Sequence, residues 1–208
     1  MASYAKFDIW QKGDGSAYNP IVQVVSNNFS TQLAYNASDG SGQSFSGTFS
    51  IIPSQTYVNI TSKLSNSKFL IIFNGNLSTT ADGSIADWIG GYGFVVDPAG
   101  GTNWTRIGSG LQGGSSNPNN KKFFLSRASP NASTGNDAYY VMPAASNYLY
   151  TSTVGAGTTL RFAVEYFHYY GGSHTYLLIN RTSTNDLSNA YSYTGGLATS
   201  ITIMELIA

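Results

Sequence analysis

Hydrophobic residues recur along this chain at every second position, and turn-forming residues interrupt them after every ~8–12 positions. This alternation is typical of strands with one buried face, whereas a helix would repeat at about 3.6 residues. No stretch of the chain shows the helical period over the length of a long helix. The pattern therefore predicts a single antiparallel β-sandwich of about eight to ten strands.

Two segments define this sandwich best. Residues 69–73 are apolar at every position, which predicts a central strand buried on both faces and ended by Asn74-Gly75-Asn76. Residues 160–168 alternate strictly, and Gly171-Gly172 predicts a tight hairpin to a returning strand at 175–180. The other predicted strands are 21–25, one containing Phe45, Phe49 and Ile51 on one face, 57–61, 92–96, 104–107, 122–125, 138–142 and 200–207.

The chain has 208 residues, a length suited to one sandwich domain, and we expect that domain to span residues 21–208. Residues 1–20 differ from the rest, because they hold Trp10, a Lys12-Gly13-Asp14-Gly15 turn and much of the early charge. We interpret this segment as an edge strand or as an arm that docks onto another protein, with Lys6 and Trp10 as candidate contacts.

Charged residues make up only 10% of the chain and the net charge is zero, against about 25% charged residues in a typical domain. No basic patch suited to phosphate binding is visible, so we predict no nucleic-acid partner. The chain has no cysteine, no visible signal peptide and no apolar run of ~20 residues, and we predict no membrane insertion. Seven Asn-x-Ser/Thr triplets occur, which we attribute to the composition and not to glycosylation.

Three segments together carry a resemblance to a known family. The first pairs Ile-Val-Gln-Val-Val at 21–25 with Phe-Ser-Ile-Ile-Pro-Ser at 49–54. The second is Thr-Ser-Lys-Leu-Ser-Asn-Ser-Lys-Phe-Leu-Ile at 61–71, and the third joins 179–183 to the terminal Ser-Ile-Thr-Ile-Met-Glu at 200–205. The chain resembles, over about residues 21–208, the C-terminal domain of tail-fibre and other virion fibre proteins of aquatic bacteriophages, including cyanophages.

The resemblance implies a jelly-roll akin to the C1q and tumour-necrosis-factor heads, assembled as a homotrimer. It implies a virion protein, assembled in the host cytoplasm, that contacts other tail or capsid proteins and binds a glycan or protein of the host surface. Fibres of this kind usually carry a long shaft, whereas here about 20 residues precede the domain. Two alternatives therefore stay open: a capsid decoration or cement protein, or another virion structural protein, without a receptor role, and a lectin-like carbohydrate-binding module.

Catalytic chemistry has little support in the sequence, and we predict a non-enzymatic protein with no catalytic residue. No Gly-x-Ser-x-Gly nucleophile elbow is present. Asp82 and Asp87, beside Trp88, are the best available pair of carboxylates for glycoside hydrolysis. Aspartate in turns explains them more simply.

Aromatic residues in predicted loops are candidates for stacking on a host glycan. The alternative is that they fill the core or a subunit interface. The candidates are Trp88, Tyr92 and Trp104, together with His168, Tyr169, Tyr170 and His174 around the predicted hairpin.

The same hairpin would place His168 and His174 near each other, and a three-fold axis could then gather them into a ring. Two histidines with no carboxylate between them are weak evidence for a metal site, so we predict no metal and no cofactor. Calcium in an Asp/Asn-rich loop such as Asn185-Asp186 is the alternative, although no EF-hand spacing exists.

Glu205 shares a face with Ile201 and Ile203 in the last predicted strand. A buried carboxylate needs a partner, because desolvating it alone is costly. We expect a structural ion pair with Arg161 or Arg181, within one subunit or across two.

Overall fold

The computed structural model describes residues 20–36, 43–45, 48–80, 89–107, 124–125, 142–169, 176–180 and 197–207. These residues form strands and one short 3-10 turn, Ser54–Thr56. The strands are β1 (Ile21–Phe29), β2 (Leu33–Asn36), β3 (Gln43–Phe45), β4 (Thr48–Ile51), β5 (Val58–Thr61), β6 (Lys68–Thr80), β7 (Ile89–Asp97), β8 (Thr105–Ile107), β9 (Phe124–Leu125), β10 (Met142–Thr151), β11 (Thr159–Tyr169), β12 (Tyr176–Ile179) and β13 (Thr199–Leu206).

The first sheet has four positions, two of which are filled by a pair of strands placed end to end. β12 pairs with residues 77–80 of β6 and β13 pairs with residues 68–74, so both lie along β6. β1 pairs with β13 and β2 with β12, while β10 pairs with β6. The order is therefore β1/β2, β12/β13, β6 and β10, with every pair antiparallel.

The second sheet is built in the same way. β4 and β5 both pair with β11, and β7 also pairs with β11. β8 and β9 pair with β7, and β3 extends the sheet beyond β4. The order is therefore β3, β4/β5, β11, β7 and β8/β9.

The two sheets hold nine positions, and eight remain without the three-residue β3, which extends the second sheet beyond β4. The pairing of these eight positions identifies the fold as a jelly-roll. Counted along the chain, the first position pairs with the eighth, the second with the seventh, the third with the sixth and the fourth with the fifth. A strand ribbon wrapped in this way forms two packed antiparallel sheets of four positions each. The predicted all-β jelly-roll sandwich is confirmed.

Alternate residues of both sheets point into one core between them. The inward side chains over residues 69–77 of β6 and 160–166 of β11 have no exposed surface, as the sequence alternation predicts. Phe73 lies at the centre, 4.9 Å from the ring of Tyr92 and 6.3 Å from that of Tyr166. Other core residues are Phe69, Ile71, Leu77, Phe94, Val96, Leu160, Phe162, Val164, Ile201 and Ile203.

Strand β6 continues beyond the point where the sequence predicts its end. Asn74, Gly75 and Asn76 all pair with β10, and the strand runs on to Thr80. Gly75 is required there because a Cβ would lie 2.6 Å from Cζ of Phe73. The glycine therefore makes room for a core ring within the strand and does not mark a turn.

The prediction of a hairpin at Gly171-Gly172 is wrong, because the strands on either side of it do not pair with each other. β11 belongs to the second sheet, and β12 belongs to the first. The connection therefore crosses from one sheet to the other, which is how a jelly-roll uses this stretch. His168 pairs with Phe49 and Gly90 instead, and His174 lies outside the described residues.

Two further strand predictions need correction. The sequence pattern places Phe45 and Phe49 on one strand, but they belong to the paired strands β3 and β4. Most of β10 was not predicted, because Pro143, Ser146 and Asn147 interrupt its apolar pattern. The N-terminal segment lies outside the described residues, so its role as arm or edge strand stays a prediction.

Candidate functional site

The predicted glycan contacts separate into three groups. Tyr92 is a core residue with 4% exposure, since it lies on the inward face of β7 with Phe94 and Val96. It is therefore not a surface ligand contact, and that prediction is wrong. His168 and Tyr169 belong to β11, but their side chains lie outside the described part, as do Trp88, Tyr170 and His174 and the docking candidates Lys6 and Trp10.

Trp104 lies on the outer face of the second sheet, where its ring pairs with that of Tyr57. The two ring centroids are 5.1 Å apart and the ring planes are tilted by 58°. Tyr57 directly precedes β5 and Trp104 directly precedes β8, and β11 and β7 separate these strands. Strands stand about 4.8 Å apart, so the two side chains must reach over β11 and β7 to meet.

The residues beneath this aromatic pair agree with that arrangement. Val95 and Ala163 are direct partners on β7 and β11, and both point away from the core. Both nevertheless have no exposed surface. The outer face of this sheet is therefore covered at its centre.

Arg161 completes the group on the β5 side. Its guanidinium lies 5.3 Å from the centroid of the Tyr57 ring, within the range of a cation–π interaction. Its Nε donates to Oδ1 of Asn59 at 2.8 Å, and its Nη1 donates to the carbonyl of Gly101 at 2.9 Å. We call Tyr57, Asn59, Trp104 and Arg161 the aromatic platform.

Glu205 is buried as predicted, but the structure gives it neutral donors. Its carboxylate accepts hydrogen bonds from the side chains of Gln23 (2.5 Å), Ser62 (3.1 Å) and Ser67 (2.6 Å). The backbone N–H groups of Lys63 and Leu64 also donate to it, at 2.9 and 3.1 Å.

The predicted pairing of Glu205 with Arg161 is therefore wrong. Arg161 points to the outer face of the opposite sheet and bonds to Asn59 and Gly101. Arg181 lies outside the described residues, so that pairing stays a prediction. The neutral donors nevertheless satisfy the carboxylate without a cation.

The hydrogen bonds also determine how Glu205 titrates. Burial raises the pKa of this carboxyl, but hydrogen bonds from Ser67, the Lys63 N–H, Gln23 and the Leu64 N–H outweigh it. The pKa of Glu205 is consequently lower than its ordinary value of 4.5. The group is ionised at neutral pH and joins the β5–β6 loop to the last strand.

The outer face of the first sheet carries a row of apolar side chains. Val24 pairs with Met204, Met204 with Leu70, and Leu70 with Leu149. These four residues therefore form one line across β1, β13, β6 and β10. Val24 is 50% exposed and Leu149 48% exposed. We call this line the apolar row.

Apolar neighbours adjoin the apolar row on both sides, and polar residues limit it on the side of Ile72. Ile72 adjoins it on β6, and Ile21 and Leu206 pair directly below it. Polar residues begin beside Ile72 itself, where Ser26 lies opposite Thr202, and continue with Asn28 opposite Ser200. Lys68 is the one charged side chain on the outward positions that the structure describes in these four strands.

The described residues contain no group of three or more metal-ligating side chains, and calcium at Asn185-Asp186 falls outside them. Asp97, the one aspartate that the structure describes, accepts hydrogen bonds from the backbone N–H groups of Ala99 and Asn103 at 2.8 and 2.6 Å. No helix in the described part of the chain is long and apolar enough to cross a membrane.

Sequence reasoning missed Tyr57, Asn59 and the donors to Glu205. The alternation in residues 57–61 places Tyr57 and Asn59 on the outward face, and that was the available signal. No sequence pattern indicates the donors to Glu205, since two of them are the backbone N–H groups of Lys63 and Leu64.

Comparison with known proteins gives no family. No family model matches the chain, and no curated protein matches it. Among solved structures, a mutant VP2 protein of infectious bursal disease virus from T=1 particles aligns with all of this chain at 9% identity and a TM-score of 0.37. A structure from the Gx strain of that virus aligns with all of this chain at 11% identity and a TM-score of 0.28.

This chain spans only 41% and 46% of the length of those two structures. Similarity at this level carries no argument about function, and the jelly-roll assignment rests on the strand pairing of this chain itself.

Proposed function

We propose that this protein is a homotrimeric surface protein of a virus particle, a tail-fibre or receptor-binding knob that attaches a phage to its host. The apolar row is its subunit interface, and this row is the observation that carries the proposal. The trimeric state and the virion setting are supported by the sequence resemblance to phage fibre domains, which spans the same residues as the sandwich.

The apolar row has the properties of a surface that is buried in an assembly. Contiguous exposed apolar patches on soluble proteins mark interaction sites. Burying the exposed half of a side chain such as Val24 or Leu149 is worth roughly 1 kcal/mol. The cores of interfaces are depleted of charged residues, and the row contains none. Lys68 lies at its margin.

The position of the row favours a ring of identical copies. It runs from β1 at one edge of the described sheet to β10 at the other. In a ring of three, each subunit touches two neighbours through two different parts of its surface. Val24 and Leu149, at opposite ends of the row, offer those two contact regions.

An attachment role is supported by what this arrangement leaves exposed. If the first sheet faces the other subunits, the second sheet faces outward. That outer sheet carries the aromatic platform, which combines ring faces with hydrogen-bonding groups. A capsid decoration protein without a receptor role would need no such group.

The mass of the purified chain in solution tests the assembly. We expect three times the chain mass of 22.2 kDa by light scattering. Leu149→Asp places a charge in the row and should give monomers. Asn147→Asp adds the same charge two residues away on the same strand and face, in a polar position, and should remain trimeric. A monomeric parent protein, or a trimer that Leu149→Asp leaves intact, would contradict the interface.

Binding to cells tests the attachment role separately. Labelled trimer should bind bacteria of the host species, and excess unlabelled trimer should compete with it. Binding to purified virions depleted of this chain, without binding to cells, would favour the capsid decoration alternative instead.

A further inference from the structure

We propose that the aromatic platform binds an acidic pyranose, a six-membered sugar ring bearing a carboxylate. The inference deepens the proposed function and rests on it only in that the second sheet faces outward. The observation is the juxtaposition of Trp104, Tyr57, Asn59 and Arg161 on the outer face of that sheet.

The ring geometry supplies a surface for stacking. Arg161 lies over the ring of Tyr57 at 5.3 Å, and the Trp104 ring meets Tyr57 at a tilt of 58°. Trp104 is half-buried, so part of the indole reaches solvent. An aromatic face is electron-rich, and the C–H face of a pyranose packs against such a face.

The polar groups next to the rings are suited to the substituents of a sugar. Asn59 is exposed and directly opposite Arg161 in the strand register. Its carboxamide both donates and accepts, as paired sugar hydroxyls require. The guanidinium of Arg161 is held in place by Asn59 and the Gly101 carbonyl, which orients the fork before any ligand arrives.

The charge at Arg161 specifies an acidic ligand. Among the residues that the structure describes, its hydrogen-bond partners are two neutral oxygens. Asp97 lies opposite it in the register, but that carboxylate accepts from the backbone of Ala99 and Asn103. The ion pair of the described residues is instead Arg106 with Glu165. A carboxylate on the ligand would give Arg161 the anionic partner that its planar fork favours.

The experiment uses methyl glucuronide as the probe and the matched neutral methyl glucoside as its comparison. The chain has three tryptophans, so the ¹⁵N-labelled protein gives three indole N–H signals. Loss of one signal in Trp104→Phe assigns Trp104. We expect millimolar methyl glucuronide to shift that signal, with an affinity about tenfold above that of the glucoside.

Variants of Arg161 separate binding from folding. Arg161→Gln should lose the preference for the glucuronide, and Arg161→Lys should lose most of it, because lysine cannot form the bidentate fork. Both should unfold at nearly the parent temperature. A glucuronide that leaves the Trp104 signal unmoved, shifts only the other two indoles, or binds Arg161→Gln equally well would overturn the proposal.

The mass of every sample is measured alongside. A monomer that binds the glucuronide would overturn the trimer and keep this inference. A trimer that fails to bind would overturn the inference and keep the assembly.

Discussion

The Oγ of Ser67 lies 2.6 Å from Oε1 of Glu205 and donates a hydrogen bond to it, across 138 positions of sequence. Ser67 is the last residue before β6, and Glu205 is near the end of β13, so the bond joins the start of the central strand to the final strand. Since Ser62, Lys63 and Leu64 donate to the same carboxylate, the whole β5–β6 loop is organised around it.

Replacing Glu205 with glutamine should destabilise the fold by about 2–4 kcal/mol. The carboxylate accepts only, whereas a glutamine amide places an N–H₂ group among donors and leaves buried groups unsatisfied. Urea unfolding followed by tryptophan fluorescence measures the loss, with both proteins held at the same concentration.

Lys63→Ala is the matched control for that substitution. Lys63 donates to Glu205 through its backbone N–H, so truncating its exposed side chain keeps the bond. We expect a change within about 0.5 kcal/mol. If Lys63→Ala and Glu205→Gln cost the same, the carboxylate is not what holds the loop.

Stability should fall in acid because of the same carboxylate. The pKa of folded Glu205 is below the ordinary value of 4.5, so at pH values between the two the unfolded chain binds more protons. The contribution is therefore complete above that ordinary value and is lost as pH falls through the folded pKa. Unfolding free energies measured from pH 7 down to pH 3 should show the decline, and Glu205→Gln should flatten it. An equally steep decline in the variant would assign the effect to other carboxylates.

Substitution of the Arg106–Glu165 pair on the second sheet should have a different effect from that of Glu205, because this buried carboxylate has a charged partner. Glu165 is almost fully buried, and it accepts bonds of 2.5 Å from both Nε and Nη2 of Arg106. Arg106→Met removes both bonds from a buried carboxylate. Because Arg106 itself is 36% exposed, solvent reduces the cost to about 1–3 kcal/mol.

The double variant Arg106→Met with Glu165→Met tests this explanation. It removes the buried charge together with its partner, so it should be more stable than Arg106→Met alone. Unfolding of the parent, both single variants and the double variant gives the coupling. Additive losses would mean that the two side chains act independently.

The sequence predicts the fold well where one face of a strand meets the core. Alternation correctly places Phe162, Val164 and Tyr166 inside, and it also predicts the burial of Glu205 beside Ile201 and Ile203. These predictions succeed because the side-chain period of a strand is fixed at two.

The sequence misleads where an apolar residue has no core to enter. Leu70 and Ile72 predict a strand buried on both faces, yet their outward side chains belong to the apolar face of the first sheet and are only half-buried. A subunit interface and a core select the same residue types, so one chain's sequence cannot separate them. The prediction for Tyr92 is wrong for a different reason. Its alternation with Phe94 predicts a side chain that points inward, whereas its position near a predicted loop suggests an exposed one. The alternation is the correct guide.

Gly75 sets a tight limit on the packing of the central strand. Gly75 and Phe73 lie on the same face of β6. A Cβ added to Gly75 would therefore lie 2.6 Å from Cζ of Phe73 and 3.1 Å from Oγ1 of Thr199. The Phe73 ring cannot move aside, since it is fully buried against Tyr92 and Tyr166. Gly75→Ala should therefore destabilise the fold by about 1–3 kcal/mol through overpacking.

Gly155→Ala is the control, because nothing lies within 4 Å of the Cβ that it would add. Its free energy of unfolding should stay within about 0.5 kcal/mol of the parent value. Thermal unfolding of both variants checks the contrast at matched concentration. If Gly75→Ala were as stable as Gly155→Ala, the ring of Phe73 would have to be free to move, and the core around it would be looser than the aromatic contacts indicate.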